Sequence, residues 1–298
     1  FYESEVIREG LTLVDDLVEK NILSLSQGAI IADLEKYDLG VLPVIRSDKT
    51  ALYPVADLSL ASLKFKKYDI DESIYVVDVR QSLYFKQLFK LIELSGYDKK
   101  LTHLSYDFVT LPEGMMASRT GNVITYEDLK NKIYSKIYKE TKKRHENWSE
   151  KKIEKVSLNL TISIIKFEML KVGAEKTITF NIDEAAKFEG YTACYLQYSF
   201  ARASSIIKKA SLFSGLSKVD LNNLNSDKEK QLLVKMARFS EIIELSAQKY
   251  NPSELTKYLF ELTKIFNDYY HETNILKAEK KIMLARIQLV KAFTIVLS

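Results

Sequence analysis

Near residue 125 the hydrophobic period of this chain changes, and the change limits the folds open to it. Before that point helical and strand-like spacing alternate. Residues 3–20 place Val6, Leu11, Leu13, Val14, Leu17 and Val18 three and four apart, which predicts an amphipathic helix. Ala29 to Leu34 and Val41 to Ile45 are short β-branched runs around a polar connection, which predicts a hairpin. Tyr53 to Lys67 returns to helical spacing, with Pro54 suited to a first turn. Ile74 to Val77 reads as a strand, Gln81 to Leu94 as a helix stopped by Ser95-Gly96, and Leu104 to Val109 as a strand. Strands alternating with helices predict α/β crossover units and a mostly parallel sheet. After residue 125 only Thr177 to Phe180 is strand-like. Residues 125–141, 150–171, 191–211, 226–249, 253–270 and 278–297 are helical in period. The expected class is α/β followed by all-α, the second part a helical bundle.

A chain of 298 residues is long enough for about two domains. Its 46% hydrophobic and 28% charged content is that of ordinary globular proteins. No apolar run approaches the roughly 18 residues a membrane helix needs, so no span and no membrane partner are expected. The opening FYESEVIREG has neither a basic nor an apolar leader segment, so it does not read as a signal peptide. It also lacks Met, so a fragment or a processed chain is expected. The single Cys194 fits a reducing compartment. The +4 net charge is unevenly spread. Residues 1–130 carry 15 Lys and Arg against 21 Asp and Glu, whereas 131–298 carry 29 against 19. That asymmetry suggests a polyanion partner for the second part, or a solvated Lys-rich helical surface.

Five groups of residues could carry chemistry. The stretch Leu111 to Asn122, LPEGMMASRTGN, joins a strand to a helix and packs Gly, Ser, Arg and Thr into one short loop. Such a loop offers backbone N–H groups, hydroxyls and a cation to phosphates, although many surface loops share this composition. Tyr53 and Asp57 are one helical turn apart, so a phenol oxygen and a carboxylate share a face that suits a planar guanidinium; a surface Tyr beside a solvated Asp is the plainer reading. Gln81 opens a helix after a predicted parallel strand, where open α/β sheets bind ligands; it either accepts from and donates to a small polar substrate or is an ordinary first-turn residue. Tyr195, Tyr198 and Arg202 form a stripe on one helix, with Gln197 on the same helix. The stripe is either a stacking platform for unpaired bases or core with a snorkelling Arg. The basic run from Lys130 to Lys155 could follow a phosphate backbone or simply be solvated. His103, His145 and His271 are scattered and Cys194 has no partner at ligand spacing, so no metal site is expected.

In consistent order along nearly the whole chain, these stretches resemble the arginyl-tRNA synthetases of class I. LPEGMMASRTGNV at Leu111 to Val123 is similar to the family signature LPEGKMSSRTGNV. Ser47-Asp48-Lys49-Thr50 followed by Tyr53 and Asp57 resembles Ser-Asp-Gly-Thr followed by Tyr-x-x-x-Asp. YVVDVRQSLYFKQLF at Tyr75 to Phe89 resembles YVVGAEQSLHFKQLF. Phe188-Glu189-Gly190 and YLQYSFARASSI at Tyr195 to Ile206 resemble the helical half, close to YLQYAHARICSI. YLFELTKIFNDYYHETNIL at Tyr258 to Leu276 resembles its penultimate helix and the following loop.

The resemblance implies a partial Rossmann-like catalytic domain over 1–125, a helical stem-contact connection over 126–180 and a helical anticodon-binding domain over 181–298. It implies arginine contacts at Tyr53, Asp57 and Gln81, an ATP-phosphate loop at Ser118 and Arg119, and an anticodon-contacting face at Tyr195, Tyr198 and Arg202. The implied partners are tRNA(Arg), arginine and ATP with Mg²⁺, in a cytoplasmic, monomeric arginine–tRNA ligase. No side chain is implied to act as a covalent catalyst. The family's first half of the nucleotide fold, with its His-Ile-Gly-His-type motif, has no counterpart here. The chain also departs from the family strings at Ala56, Asp78, Arg80, Tyr84, Met115, Ala117 and Cys194. Met115 loses a cation, and Asp78 would bring bulk and negative charge toward ATP. A catalytically degenerate tRNA-binding paralogue is therefore the alternative, and a helical interaction domain on a nucleotide-fold remnant is a third.

Overall fold

The first helix, α1 (Glu3–Glu19), buries Val6, Gly10, Val14 and Leu17, a 4-4-3 spacing that makes one continuous stripe. The structure is a computed structural model describing residues 1–112, 124–210 and 219–298. Strands β1 (Ser24–Ser26), β2 (Ala29–Asp33) and β3 (Val41–Ile45) form an antiparallel sheet in that order. Gln27 and Gly28 both have positive φ, 50° and 80°, as a two-residue hairpin turn requires. Helix α2 (Tyr53–Lys67) packs on α1 so closely that a Cβ on Gly10 would lie 2.1 Å from the carbonyl oxygen of Val55. Next come β4 (Glu72–Asp78), α3 (Ser82–Leu94) and β5 (Lys100–Tyr106), with β4 and β5 parallel and Tyr75 opposite His103. Val14, Leu17, Val44, Val55, Leu88 and Leu91 lie in the core of this unit.

Two sequence expectations need adjustment here. Among the described residues, parallel pairing is confined to two-stranded ladders, while the three-stranded sheet is antiparallel. The strand expected at Leu104 to Val109 begins earlier, at Lys100, because its polar start is satisfied across the ladder. Glu72 of β4 accepts from Thr102 Oγ1 and pairs with Lys100 at 3.0 Å. Strand β5 ends at Tyr106, and after Asp107-Phe108 a separate short strand β6 (Val109–Thr110) follows. It pairs in parallel with β7 (Ile178–Thr179).

The chain divides into two compact units, Phe1–Asp107 and Phe108–Ser298. In the second, α4 (Tyr126–Arg144) starts on a reciprocal cap: Asp128 N–H donates to Thr125 Oγ1 at 3.2 Å, and Thr125 N–H donates to Asp128 Oδ2 at 3.1 Å. Helices α5 (Glu150–Leu170), the short α6 (Ile182–Ala185) and α7 (Ala193–Ala210) follow. The single helix expected over 226–249 is instead α8 (Asp227–Ala237) and α9 (Phe239–Gln248). The break at Arg238 lets Phe239 and Ile242 join the same core as Leu232. Helices α10 (Ser253–Glu272) and α11 (Lys280–Leu297) complete the bundle. Their Phe266 and Phe293 rings stack at 3.9 Å in its fully buried centre. Cys194 is a packing residue of a neighbouring cluster, and burial pushes its thiol up to about 11. Among the described residues no helix is long and apolar enough to cross a membrane.

Candidate functional site

In the first unit, the turn before α2 is built by Ser47 to Thr50. Thr50 N–H donates to Asp48 Oδ1 at 2.9 Å, and Arg46 N–H donates to the Thr50 carbonyl at 3.0 Å. Lys49 sits inside this turn with φ 67°, the left-handed region that glycine enters freely. That conformation accounts for glycine at the matching place in the family string. Leu52 N–H returns to the Val44 carbonyl at 3.0 Å, so α2 departs directly from the sheet and carries Tyr53 on its first turn.

Tyr53 is 79% exposed, while Asp57, one turn on, is half-buried. Tyr84 on the first turn of α3 donates its hydroxyl to Asp57 Oδ2. Lys64, two turns along α2, lies 3.9 Å above the Tyr75 ring and donates to Ser73 Oγ at 3.4 Å. Burial raises the Asp57 carboxyl above the usual range, against the lowering effects of the Tyr84 hydrogen bond and the Lys64 charge. Burial likewise lowers Lys64, with Asp57 opposing it. Removal from water thus outweighs the attraction between the two charges. Gln81 is exposed at the residue preceding α3, three positions from Tyr84. Asp57 and the start of α3 are therefore joined directly, with Tyr53 on the same helix as Asp57. The link through Tyr84 was not anticipated from spacing, because α2 and α3 are separated by a strand and only packing brings them together.

At the end of β4, Asp78 does not present an open negative charge. Its carboxylate accepts from Arg80 Nε at 2.8 Å, Arg80 Nη2 at 2.9 Å and the Arg80 N–H at 2.9 Å. The two departures compensate one another: the Arg80 hydrogen bonds hold the Asp78 carboxyl below the usual range. Ser118 and Arg119, with Met115 and Ala117, lie outside the described residues.

In the second unit, α7 turns Cys194, Leu196, Ser199, Ala203 and Ile206 inward. That leaves Tyr198 52% exposed and Arg202 half-buried. The Arg202 guanidinium lies 4.8 Å from the Tyr198 ring centre and 4.6 Å from that of Tyr270 on α10. Its Nη1 donates to Asn267 Oδ1 at 2.6 Å, and Asn267 Nδ2 donates to Ser199 Oγ at 2.8 Å. Tyr195 rests against Phe260 at 5.7 Å. Tyr195, Tyr198 and Arg202 thus line one cleft of about 490 Å³, with Arg144, Phe188, Asn267 and His271 on its other walls. It continues into a groove of about 600 Å³ through Tyr198, Arg202 and His271, and into one of about 710 Å³ through Arg144, Phe188 and Glu189. Lys136, Lys139, Lys143 and Lys187 line the latter. Aromatic faces, a fixed guanidinium and flanking ammonium groups are the means of holding stacked bases and phosphates. Asn267 and Tyr270 were not singled out from the sequence, and His271 was weighed only as a metal ligand, although all three fall inside the stretch resembling the penultimate helix.

The profile described as tRNA synthetases class I (R), catalytic domain, matches residues 3–182. The DALR anticodon binding domain profile matches residues 196–298. Arginine–tRNA ligase of Bdellovibrio bacteriovorus is 36% identical over 92% of this chain and 48% of its own length. The Clostridium beijerinckii protein of the same name is 33% identical over 94% of this chain and 50% of its own. The chain spans about half the length of these relatives. The Thermus thermophilus arginyl-tRNA synthetase structure superposes with a TM-score of 0.83 at 22% identity, over 99% of this chain and 56% of that one, which shows a shared fold. The chain therefore belongs to the class I arginyl-tRNA synthetase family, matching its catalytic domain over 3–182 and a DALR-type helical domain over 196–298.

Proposed function

We propose that this chain is the C-terminal portion of an arginine–tRNA ligase, which joins arginine to ATP, releases pyrophosphate and passes the arginyl group to the 3′ end of tRNA(Arg). ATP enters as its magnesium complex. In this reading Tyr53, Asp57 and Gln81 contact arginine, Ser118 and Arg119 grip the ATP phosphates, and Tyr195, Tyr198 and Arg202 meet the anticodon loop. Residues 1–125 serve activation, 126–180 contact the tRNA stem and 181–298 bind the anticodon. Catalysis comes from positioning and charge stabilisation rather than from a covalent enzyme intermediate. A cytoplasmic monomer follows from the same reading.

The observation that carries the proposal is the Arg202 guanidinium held between Tyr198 and Tyr270 and fixed by Asn267. A cation pinned in this way has lost its rotamer freedom in advance, so ordering costs less when a base stacks beside it. The test is aminoacylation of tRNA(Arg) by the full-length protein, set beside tRNA(Arg) binding by the 298-residue chain. Arginyl-tRNA formation supports the ligase. Tight tRNA binding without aminoacylation supports the second reading, a tRNA-binding paralogue that has lost activation. Met115 and Ala117 in the signature stretch motivate that second reading.

A further inference from the structure

Asp57 meets charged or titratable groups from three elements: Tyr84 from α3, Tyr75 from β4 and Lys64 from its own helix. Lys64 is engaged elsewhere, over the Tyr75 ring and on Ser73. Among the described residues, Tyr84 is the group that donates directly to the carboxylate. Its ring is anchored edge-on against Phe85 at 5.2 Å, so the hydroxyl reaches Asp57 from a fixed direction. A carboxylate has about four lone-pair sites, and a phenol fills one of them. The remaining sites are enough for both N–H groups of a guanidinium fork.

We propose that Tyr84 is a positioning residue for arginine, fixing the plane in which the Asp57 carboxylate meets the guanidinium. This rests on the reading of Asp57 as the guanidinium ligand. The position carries His in the family string quoted above. An imidazole there titrates near physiological pH and adds a cation beside the incoming guanidinium. A phenol donates its proton and adds no positive charge. Burial, followed by the Asp57 charge, raises Tyr84 far above the ordinary tyrosine range, so it stays a neutral donor. The substitution therefore exchanges a pH-sensitive partner for a constant one.

The test is calorimetric binding of L-arginine to the full-length protein between pH 5 and 8, for wild type, Tyr84→Phe, Tyr84→His and Asp57→Asn. A ¹³C-carboxyl titration of Asp57 accompanies it. Tyr84→Phe should weaken binding about tenfold at neutral pH, as expected on losing a hydrogen bond to a charged group. It should also move the acidic limb of binding, and the Asp57 titration, to higher pH. Tyr84→His should restore much of the affinity at pH 8 and lose it as the imidazole protonates. If Asp57→Asn abolishes binding while Tyr84→Phe leaves the acidic limb and the carboxyl titration unmoved, the positioning role is overturned and the arginine reading stands. If Asp57→Asn binds L-arginine like the wild type, the arginine reading falls and takes this inference with it.

Discussion

Glu229 and Arg286 form an ion pair across the helical bundle, with Arg286 Nε donating to Glu229 Oε1 at 2.7 Å and the glutamate side chain only 1% exposed. Glu229 also accepts from the Ser226 N–H at 2.9 Å, so one carboxylate caps α8 and ties it to α11. Arg286 Nη1 extends the link to the Asn274 carbonyl at 3.1 Å, in the segment after α10 that lines the 600 Å³ groove. Removing one member leaves the other charge buried and unpaired. Arg286→Ala should therefore destabilise the helical unit by about 3–5 kcal/mol. Chemical denaturation followed by far-UV circular dichroism measures it; a loss below 1 kcal/mol would contradict the buried-pair argument.

The same pair sets a pH dependence. Burial raises the Glu229 carboxyl, but the Ser226 and Arg286 contacts outweigh it, so its folded value is lowered. A depressed carboxyl stabilises the fold above its unfolded value, and that stability is lost as pH falls through the folded value. The wild type should lose stability on acidification below the ordinary glutamate range more steeply than Glu229→Gln does. Melting temperatures from pH 7 to pH 3 provide the comparison, and parallel curves would count against it.

Lys49 holds a left-handed conformation at φ 67°. Such a conformation costs an L-residue about 1–2 kcal/mol, partly offset by the greater unfolded-state freedom of glycine. Lys49→Gly should raise stability by up to about 1 kcal/mol, visible as a higher urea midpoint at constant slope. A lower midpoint would show that the lysine side chain supplies contacts that outweigh the strain.

Gly10 permits the close crossing of α1 and α2, since a methyl group there would meet the Val55 backbone at 2.1 Å. The helix propensity of alanine favours Gly10→Ala by about 1 kcal/mol. The clash involves backbone and cannot be relieved by a rotamer change. Gly10→Ala should be net destabilising, by about 1–3 kcal/mol, in the denaturation of the first unit. A stabilised variant would mean that the helices separate at little cost.

If bases stack beside Tyr198, then Tyr198→Ala and Arg202→Ala should each weaken binding of an anticodon stem-loop by roughly 1–3 kcal/mol. Substituting Lys139 or Lys143 should instead reduce the salt dependence of binding. Fluorescence anisotropy with a labelled stem-loop at several salt concentrations separates the two effects. Unchanged affinity in both aromatic-site variants would remove the stacking platform.

Sequence alone determined the order and class of most of the elements, though not the short strand β1. Apolar spacing reflects which face each segment must bury, and that requirement is local to the segment. Thus α1, α2, α3, α7, α10 and α11, the β2–β3 hairpin and the change to helix after residue 125 were all legible. The candidate residues Tyr53, Asp57, Tyr195, Tyr198 and Arg202 were visible as pairs or stripes within single helices. Tertiary structure decided what those residues touch. Tyr84 reaches Asp57 only because β4 and the start of α3 return the chain to α2. Tyr270 and Asn267 reach Arg202 because α10 packs beside α7 across more than 60 residues of sequence. The break at Arg238 and the early start of β5 were likewise settled by long-range packing and cross-strand partners. Spacing along the chain carries no record of those contacts, because each depends on the distance between segments that are remote in sequence.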